Sequence, residues 1–299
     1  MLVALVGATA TGKSDLAVSL ARALDGEVIS ADSMQLYRGM DIGTAKLSAA
    51  ERHGIPHHLL DIWDVTKTAS VAEYQVLAKN VIDDIQARGK VPVLAGGSGL
   101  YVRAALGDLS FPGTDETIRA RLETELAAVG PESLHQRLMA LDPGAAAAIL
   151  PSNGRRIVRA LEVIELSGRS FSATLPGYDE GRPAIQLGLH VDRPELDRRI
   201  EARVDRMWAR GFEEEVRGLP RLREGKTASR ALGYQQMLRF LDGDWTLEQA
   251  REETVRATRR FARRQESWFR RDPRVRWLSV VEGDLTARAL SLLSIPNAR

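Results

Sequence analysis

Residues Gly7 to Ser14 read GATATGKS: glycine, four residues, glycine, lysine, serine. That pattern folds as a phosphate-holding loop only between a strand and a helix, and the flanks supply both. Leu2 to Val6 is a short apolar strand and Asp15 to Leu24 carries apolar residues at helical spacing. Glycines let backbone amides turn inward around phosphate oxygens, and the helix N-terminus adds partial positive charge. Lys13 adds a full charge, and the Ser14 hydroxyl can ligate Mg2+. Gly7, Ala8, Thr9, Ala10, Thr11, Gly12, Lys13 and Ser14 are therefore the candidate diphosphate cradle. The loop leaves its ligand open, because a nucleotide kinase and a transferase with a diphosphate leaving group need the same cradle.

A second strand over Glu27 to Ala31 ends at Asp32, and a third over Val91 to Ala95 ends in Gly96, Gly97, Ser98 and Gly99, with a periodic helix over Val71 to Gln86 between them. Alternating strands and helices predict an α/β fold with a phosphate-loop NTPase-like parallel sheet flanked by helices. Ligands of such sheets bind beyond the C-terminal strand ends, where the loop, Asp32 and Ser98 all fall. From Phe111 the pattern becomes helical without a strand candidate: Glu116 to Val129, Pro131 to Ala140, Ala145 to Leu150 and Gly154 to Ser167. We read 113–184 as a helical insertion domain, closed by a Gly- and Pro-rich passage from Pro176 to Pro183, within a core of 1–112 and 185–299. A strand over Ile185 to Val191 resumes the core, followed by helices at Glu195 to Arg210, Phe212 to Leu219, Ser229 to Leu241 and Leu247 to Arg270. A last strand over Val275 to Val280 precedes a terminal helix.

Composition narrows the setting. The 299 residues include no cysteine, which excludes disulfides and thiolate metal sites and suits a reducing cytoplasm. No apolar run approaches the ~20 residues of a membrane span, and the opening MLVALVG is too short for a signal peptide. The net charge of +2 hides an uneven distribution: residues 251–276 hold ten arginines against four acids. Arg155 with Arg159, Arg259 with Arg263, and Arg260 with Arg264 stand four apart, so each pair projects from one helix face and can follow a nucleic-acid backbone. Trp268 and Phe269 beside the last pairs suit either stacking on bases or core packing.

Five ordered segments resemble the tRNA dimethylallyltransferase (isopentenyl-diphosphate:tRNA transferase) family over nearly the whole chain. They are GATATGKSDLA at Gly7 to Ala17, ISADSMQLYRGMDIGTAK at Ile29 to Lys46, GGSGLYVRA at Gly96 to Ala104, RRIVRALEV at Arg155 to Val163 and RALGYQQM at Arg230 to Met237. ATRRFARRQESWFR at Ala257 to Arg270 matches less distinctively. Where family members often carry Pro and Thr, this chain has Ala8 and Ser98, and both changes keep the needed amides and hydroxyl. The resemblance implies transfer of a dimethylallyl group from dimethylallyl diphosphate to an adenosine amine beside the anticodon of tRNA. It implies Asp32 as catalytic base, with Ser98 on the diphosphate and Arg203 beside it. On local grounds Asp32 is equally a helix cap or a magnesium-side carboxylate, GGSG equally a tight turn, and Arg203 equally a partner of Asp205 on a solvated face. The resemblance further implies tRNA contacts at Asp32, Ser33, Met34 and Gln35, at Ser98 and Arg119, at Arg155, Arg156, Ile157, Val158 and Arg159, and at Arg230, Gly233, Tyr234 and Gln235.

An exocyclic adenine amine must lose a proton as it attacks an allylic carbon, so a base is required. The aspartate-rich motif of ordinary prenyl synthases is missing, so Mg2+ is expected on Ser14, phosphate oxygens and water. A small-molecule kinase using the loop for ATP and a non-catalytic RNA-binding protein are the competing readings. The first has no need of DSMQLYRGMDIGTAK or RALGY, and the second none of an intact Lys13, Ser14 and Asp32. A cytoplasmic monomer is expected.

Overall fold

The computed structural model describes residues 1–171 and 181–294. The chain forms two compact units, Met1–Gly107 with Tyr178–Arg299, and Asp108–Gly177. Pro176 to Glu180 of the expected linking passage lie outside the described residues.

The larger unit is built on one six-stranded sheet: β1 (Val3–Gly7), β2 (Gly26–Ser30), β3 (His57–His58), β4 (Val91–Gly96), β5 (Ile185–His190) and β6 (Val275–Ser279). Spatial order is β3-β2-β4-β1-β5-β6 and every pairing is parallel. β1 is buried along its whole length, which is why VALVG is a near-continuous apolar run rather than an alternating one. After β1 the chain passes over β4 to reach β2, and after β4 it passes over β1 to reach β5, so the connections part in opposite directions beyond the C-terminal ends of these two strands and leave a crevice there.

Helices cover both faces of the sheet. α1 (Lys13–Ala23) starts two residues earlier than its apolar spacing predicts, because the phosphate loop feeds directly into it. α2 (Val71–Ala87) buries Tyr74, Ala78, Ile82 and Ile85, one face at helical period, and Ser70 caps it by accepting from the Glu73 amide. α3 (Gly99–Leu106) is a helix the glycine-rich reading of GGSG does not predict, and neither is the two-residue edge strand β3.

The smaller unit holds α4 (Glu116–Leu141), α5 (Pro143–Ala148) and α6 (Gly154–Ser167) around Leu122, Leu134, Leu138, Ile149, Ile157 and Leu161. α4 is broken at Gly130, whose φ of 81° ends one helix before Pro131 begins the next, in keeping with two sequence-predicted helices.

Returning to the larger unit, α7 (Arg193–Ala209), α8 (Phe212–Arg217), α9 (Tyr234–Leu241) and α10 (Leu247–Phe269) precede β6 and α11 (Leu285–Ser294). α9 begins five residues later than the predicted Ser229. Ala228–Arg230 is a separate 3-10 turn, and Gly233 with φ 87° makes the bend that starts α9. Among the described residues no helix is long and apolar enough to cross a membrane.

Candidate active site

A cavity of about 670 Å³ opens at the C-terminal ends of β1, β2 and β4 and is roofed by α7 and α10. Its floor is the phosphate loop. Thr9, Ala10, Gly12, Lys13 and Ser14 line it, whereas Gly7, Ala8 and Thr11 stand behind them. Those three build the loop rather than its wall: the Ala8 carbonyl accepts from the Thr11 hydroxyl at 2.9 Å and from Lys13 Nζ at 2.5 Å. Five of the eight residues expected to cradle the diphosphate therefore line the cavity, and Gly7, Ala8 and Thr11 complete the same loop behind them.

Asp32 leaves the end of β2 and faces the loop across the cavity. Its Oδ1 accepts from the Met34 amide at 2.9 Å, so it does tie the local turn. Oδ2 makes no hydrogen bond among the described residues and is left for an incoming group. Burial pushes the Lys13 ammonium down to about 8; the Asp32 charge opposes the shift and Arg203 adds to it. Arg203 reaches in from α7, donates from Nη2 to the Thr44 carbonyl at 3.2 Å, and is lowered by burial, with Asp32 again opposing. Asp205 pairs with Arg251 instead, which removes Asp205 as the partner of Arg203.

Ser98 N-caps α3 positionally. Its Oγ accepts from the Ser33 amide at 3.3 Å and lies 3.3 Å from the Ser33 hydroxyl, joining the β4 loop to the segment after Asp32. GGSG is thus more than a turn, because its serine is tied to the Asp32 side of the crevice. Ser33, Met34 and Gln35 line the cavity, as does Arg230. Below them the buried Tyr74 donates its hydroxyl to the Ser30 carbonyl at 2.9 Å and packs against Tyr101 in a tilted arrangement, with 4.6 Å between ring centroids. This dry aromatic floor pushes both phenols well above their ordinary range, so neither is a base.

Several residues named for RNA contact are placed otherwise by packing. Tyr234 is fully buried and donates its hydroxyl to Glu215 at 2.6 Å, and Gly233 is buried beside it; both shape the core, whereas the neighbouring Gln235 is exposed, outside the cavity lining, and packing does not exclude it from contact. Phe269 is core, and the Trp268 ring lies against Gly99 at the start of α3, so the pair packs rather than offers a stacking face. Arg259 pairs with Glu201 at 3.0 Å, whereas Arg263 is exposed and carries no ion pair among the described residues.

Within the smaller unit, Ile157 and Val158 are buried in its core, so any contact with RNA on α6 falls to its arginines. Arg155 and Arg156 are exposed. Arg119 and Arg159 both bond the fully buried Glu162, at 2.6 Å and 3.0 Å. Burial pushes the Glu162 carboxyl up, but the Arg119 guanidinium and the Asp115 amide outweigh it and hold it below the usual range.

Three cavity features escaped the sequence reading. Gln265, buried on α10, accepts from the Thr9 amide at 2.9 Å and donates to the Gly97 carbonyl at 2.9 Å, clamping the phosphate loop to the β4 loop. Arg206 and Arg210 line the cavity beside Arg199 and Arg203, a spacing of four, three and four that was readable as one helix face. Arg264 projects into the cavity, with its guanidinium 5.8 Å from the Phe261 ring centroid. Metal-binding capacity is modest: among the described residues no group of three His, Asp or Glu side chains gathers. The Ser14 hydroxyl at the mouth of α1 and nearby carboxylate oxygens are hard donors that fit a cation whose remaining ligands are phosphate oxygens and water.

A model of the IPP transferase family matches residues 35–272. The tRNA dimethylallyltransferase of Thermobifida fusca is 64% identical over 299 residues, covering 98% of this chain and 94% of that protein. That of Streptomyces avermitilis is 67% identical over 287 residues, 95% and 92% of the two chains. Among solved structures, the full-length tRNA isopentenylpyrophosphate transferase of Bacillus halodurans is 43% identical with a TM-score of 0.71, covering 97% and 93%. A eukaryotic dimethylallyltransferase acting on tRNA is 26% identical with a TM-score of 0.81, covering 97% of this chain and 77% of its own. With a family match across most of the sequence and relatives at that identity over nearly the whole chain, the chain belongs to the IPP transferase family.

Proposed function

We infer that the protein transfers a dimethylallyl group from dimethylallyl diphosphate to the exocyclic amine of the adenosine 3′-adjacent to the anticodon in tRNA, releasing pyrophosphate. The observation that carries this reading is the opposition of Lys13 and Asp32 across one cavity, a cationic cradle facing a carboxylate with a free oxygen. A kinase whose hydroxyl acceptor sheds a proton could use the same opposition, so it is the family membership that favours transfer to an amine. The family membership and the relatives named for this activity point the same way.

The donor's diphosphate rests on the amides of Thr9 to Ser14, with Lys13 and Arg203 taking up the charge that grows as the carbon–oxygen bond breaks. Ser98 donates its hydroxyl to the departing diphosphate. The adenine enters from the Ser33 to Gln35 side, its amine attacks the allylic carbon, and Asp32 Oδ2 receives the amine's proton. Ser14 would hold Mg2+, which when bound would supply further neutralisation of the leaving group. Arg230 at the cavity and Arg119, Arg155, Arg156 and Arg159 on the helical insertion meet the RNA backbone, with Arg263 on α10 as a further cation. The protein works as a cytoplasmic monomer.

The test is direct: incubate the protein with unmodified tRNA, Mg2+ and dimethylallyl diphosphate, digest to nucleosides and analyse by mass spectrometry. An isopentenyl adenosine is expected. Consumption of a nucleoside triphosphate with no prenylated nucleoside would overturn the reading.

A further inference from the structure

We propose that Glu215, which lines no part of the cavity, is a positioning residue for Arg203, acting through the loop Asp41–Lys46; the proposal rests on Arg203 serving the donor diphosphate. Glu215 sits on α8 and gathers four donors on one carboxylate. Oε2 accepts from the Asp41 amide at 3.0 Å and the Ile42 amide at 2.6 Å, and Oε1 from the Gly43 amide at 3.1 Å and the Tyr234 hydroxyl at 2.6 Å. Three successive amides converging on one anion form a nest, and charge-assisted bonds of this kind are roughly twice as strong as neutral ones.

The loop's fit leaves little room for another conformation. A Cβ on Gly43 would stand 2.4 Å from the Phe212 ring and 2.5 Å from the Tyr234 ring, so only glycine lets the loop approach Glu215 so closely. The far end is fixed by the buried Lys46, whose Nζ donates to the Tyr37 carbonyl at 2.9 Å, Asp41 Oδ1 at 2.6 Å and Asp61 Oδ1 at 2.5 Å. Between these anchors the Thr44 carbonyl is aimed at the cavity, where it accepts from Arg203 Nη2 at 3.2 Å and Gln35 Nε2 at 3.3 Å. One donor of the guanidinium fork is thereby spent on a fixed carbonyl, which sets the plane in which the other four point. No carboxylate pairs with Arg203 among the described residues, so this carbonyl is what orients it. A chain of contacts therefore runs from α8 to the cavity: Glu215 fixes the loop, the loop fixes Thr44, and Thr44 orients the arginine.

The experiment is a double-mutant cycle on affinity for dimethylallyl diphosphate, using Glu215→Gln, Arg203→Ala and both together in the full chain. Glu215→Gln keeps the volume but replaces an acceptor oxygen with a donor, and is expected to weaken donor binding about tenfold, the loss of one charge-assisted hydrogen bond. If Glu215 acts through Arg203, the double variant binds the donor no more weakly than Arg203→Ala alone. Losses that multiply would assign Glu215 a general structural role and overturn the proposal. Should Glu215→Gln fail to fold, Tyr234→Phe, which removes one of the four bonds, enters the same cycle with a smaller expected loss and the same criterion. Wild-type protein that fails to prenylate tRNA would sink the functional reading; active wild type with a multiplicative cycle would sink only the role of Glu215.

Discussion

The two units treat their arginines in opposite ways. In the insertion, Arg119 and Arg159 are drawn onto Glu162, a carboxylate with no exposure, which offsets part of their charge from within. In the core cavity, Lys13 and Arg203 face the carboxylate of Asp32, and Arg206, Arg210, Arg230 and Arg264 line the same space with no ion pair among the described residues. Charges brought together without partners raise the energy of the free protein, and a folded chain tolerates that only where a ligand of opposite sign lowers it again. In the first arrangement a buried carboxylate fixes where the arginines stand. The second is an excess of positive charge around one cavity, the imbalance that the proposed function uses to hold a polyanion.

The largest effect expected from this contrast is at Asp32. Replacing it with Asn removes the base but leaves the fold, so turnover should fall by a factor of ~100 to ~10,000 while donor and tRNA affinities stay near wild type. Single-turnover kinetics with labelled donor measure it, and a turnover within a factor of a few of wild type would remove Asp32 from the proton path. Next in size is Glu162→Leu. It strands two arginines at a buried site and should cost the insertion about 2–4 kcal/mol, toward the low end for a broken buried pair because both arginines reach solvent. Calorimetry and a donor-binding titration check the two halves of that statement: unfolding should shift, and donor affinity should not. If donor affinity fell with stability, the division of labour between the units would be wrong.

The smallest and most specific effect is in pH. Lys13 is held near 8, and a bound diphosphate favours its protonated form, so its value rises in the complex. Donor affinity should be level below pH 8 and fall, by up to about tenfold per pH unit, as pH rises above it. Stability of the free protein moves the other way. Unfolded lysine holds its proton to 10.5, so between 8 and 10.5 the unfolded chain binds more protons and the free fold gains stability as pH rises. Titration of donor binding at pH 7 and pH 9, with Lys13→Met as the flat control, separates this from ionisation elsewhere.

Much of the site was legible before any coordinates. GATATGKS between an apolar strand and a helix admits one local geometry, since its glycines, its lysine and the helix dipole all serve the same anion. The end of a parallel strand is where a ligand crevice opens, so Asp32 and Ser98 could be placed by the strand pattern alone. The insertion announced itself by the loss of strand periodicity, and Gly130–Pro131 by the strongest local breakers in the chain.

Other decisions belong to contacts between residues far apart in sequence, about which local pattern carries no information. Tyr234 lies in a segment rich in functional resemblance, yet the nearby Glu215 and Phe212 make it core. Gln265 looks like any polar residue on an arginine-rich helix until the fold carries it 256 positions back to Thr9. Arg203 and Arg259 share a basic character that composition cannot divide; one finds the Thr44 carbonyl in a cavity and the other a glutamate at the surface. The sequence by itself determined where the phosphate-loop turn forms and which carboxylate stands at the end of the neighbouring strand, because backbone conformation and strand direction are local properties. Only the tertiary structure decided which arginines stay uncompensated and what holds them in place, because charge pairing depends on which distant groups folding brings within a few ångströms.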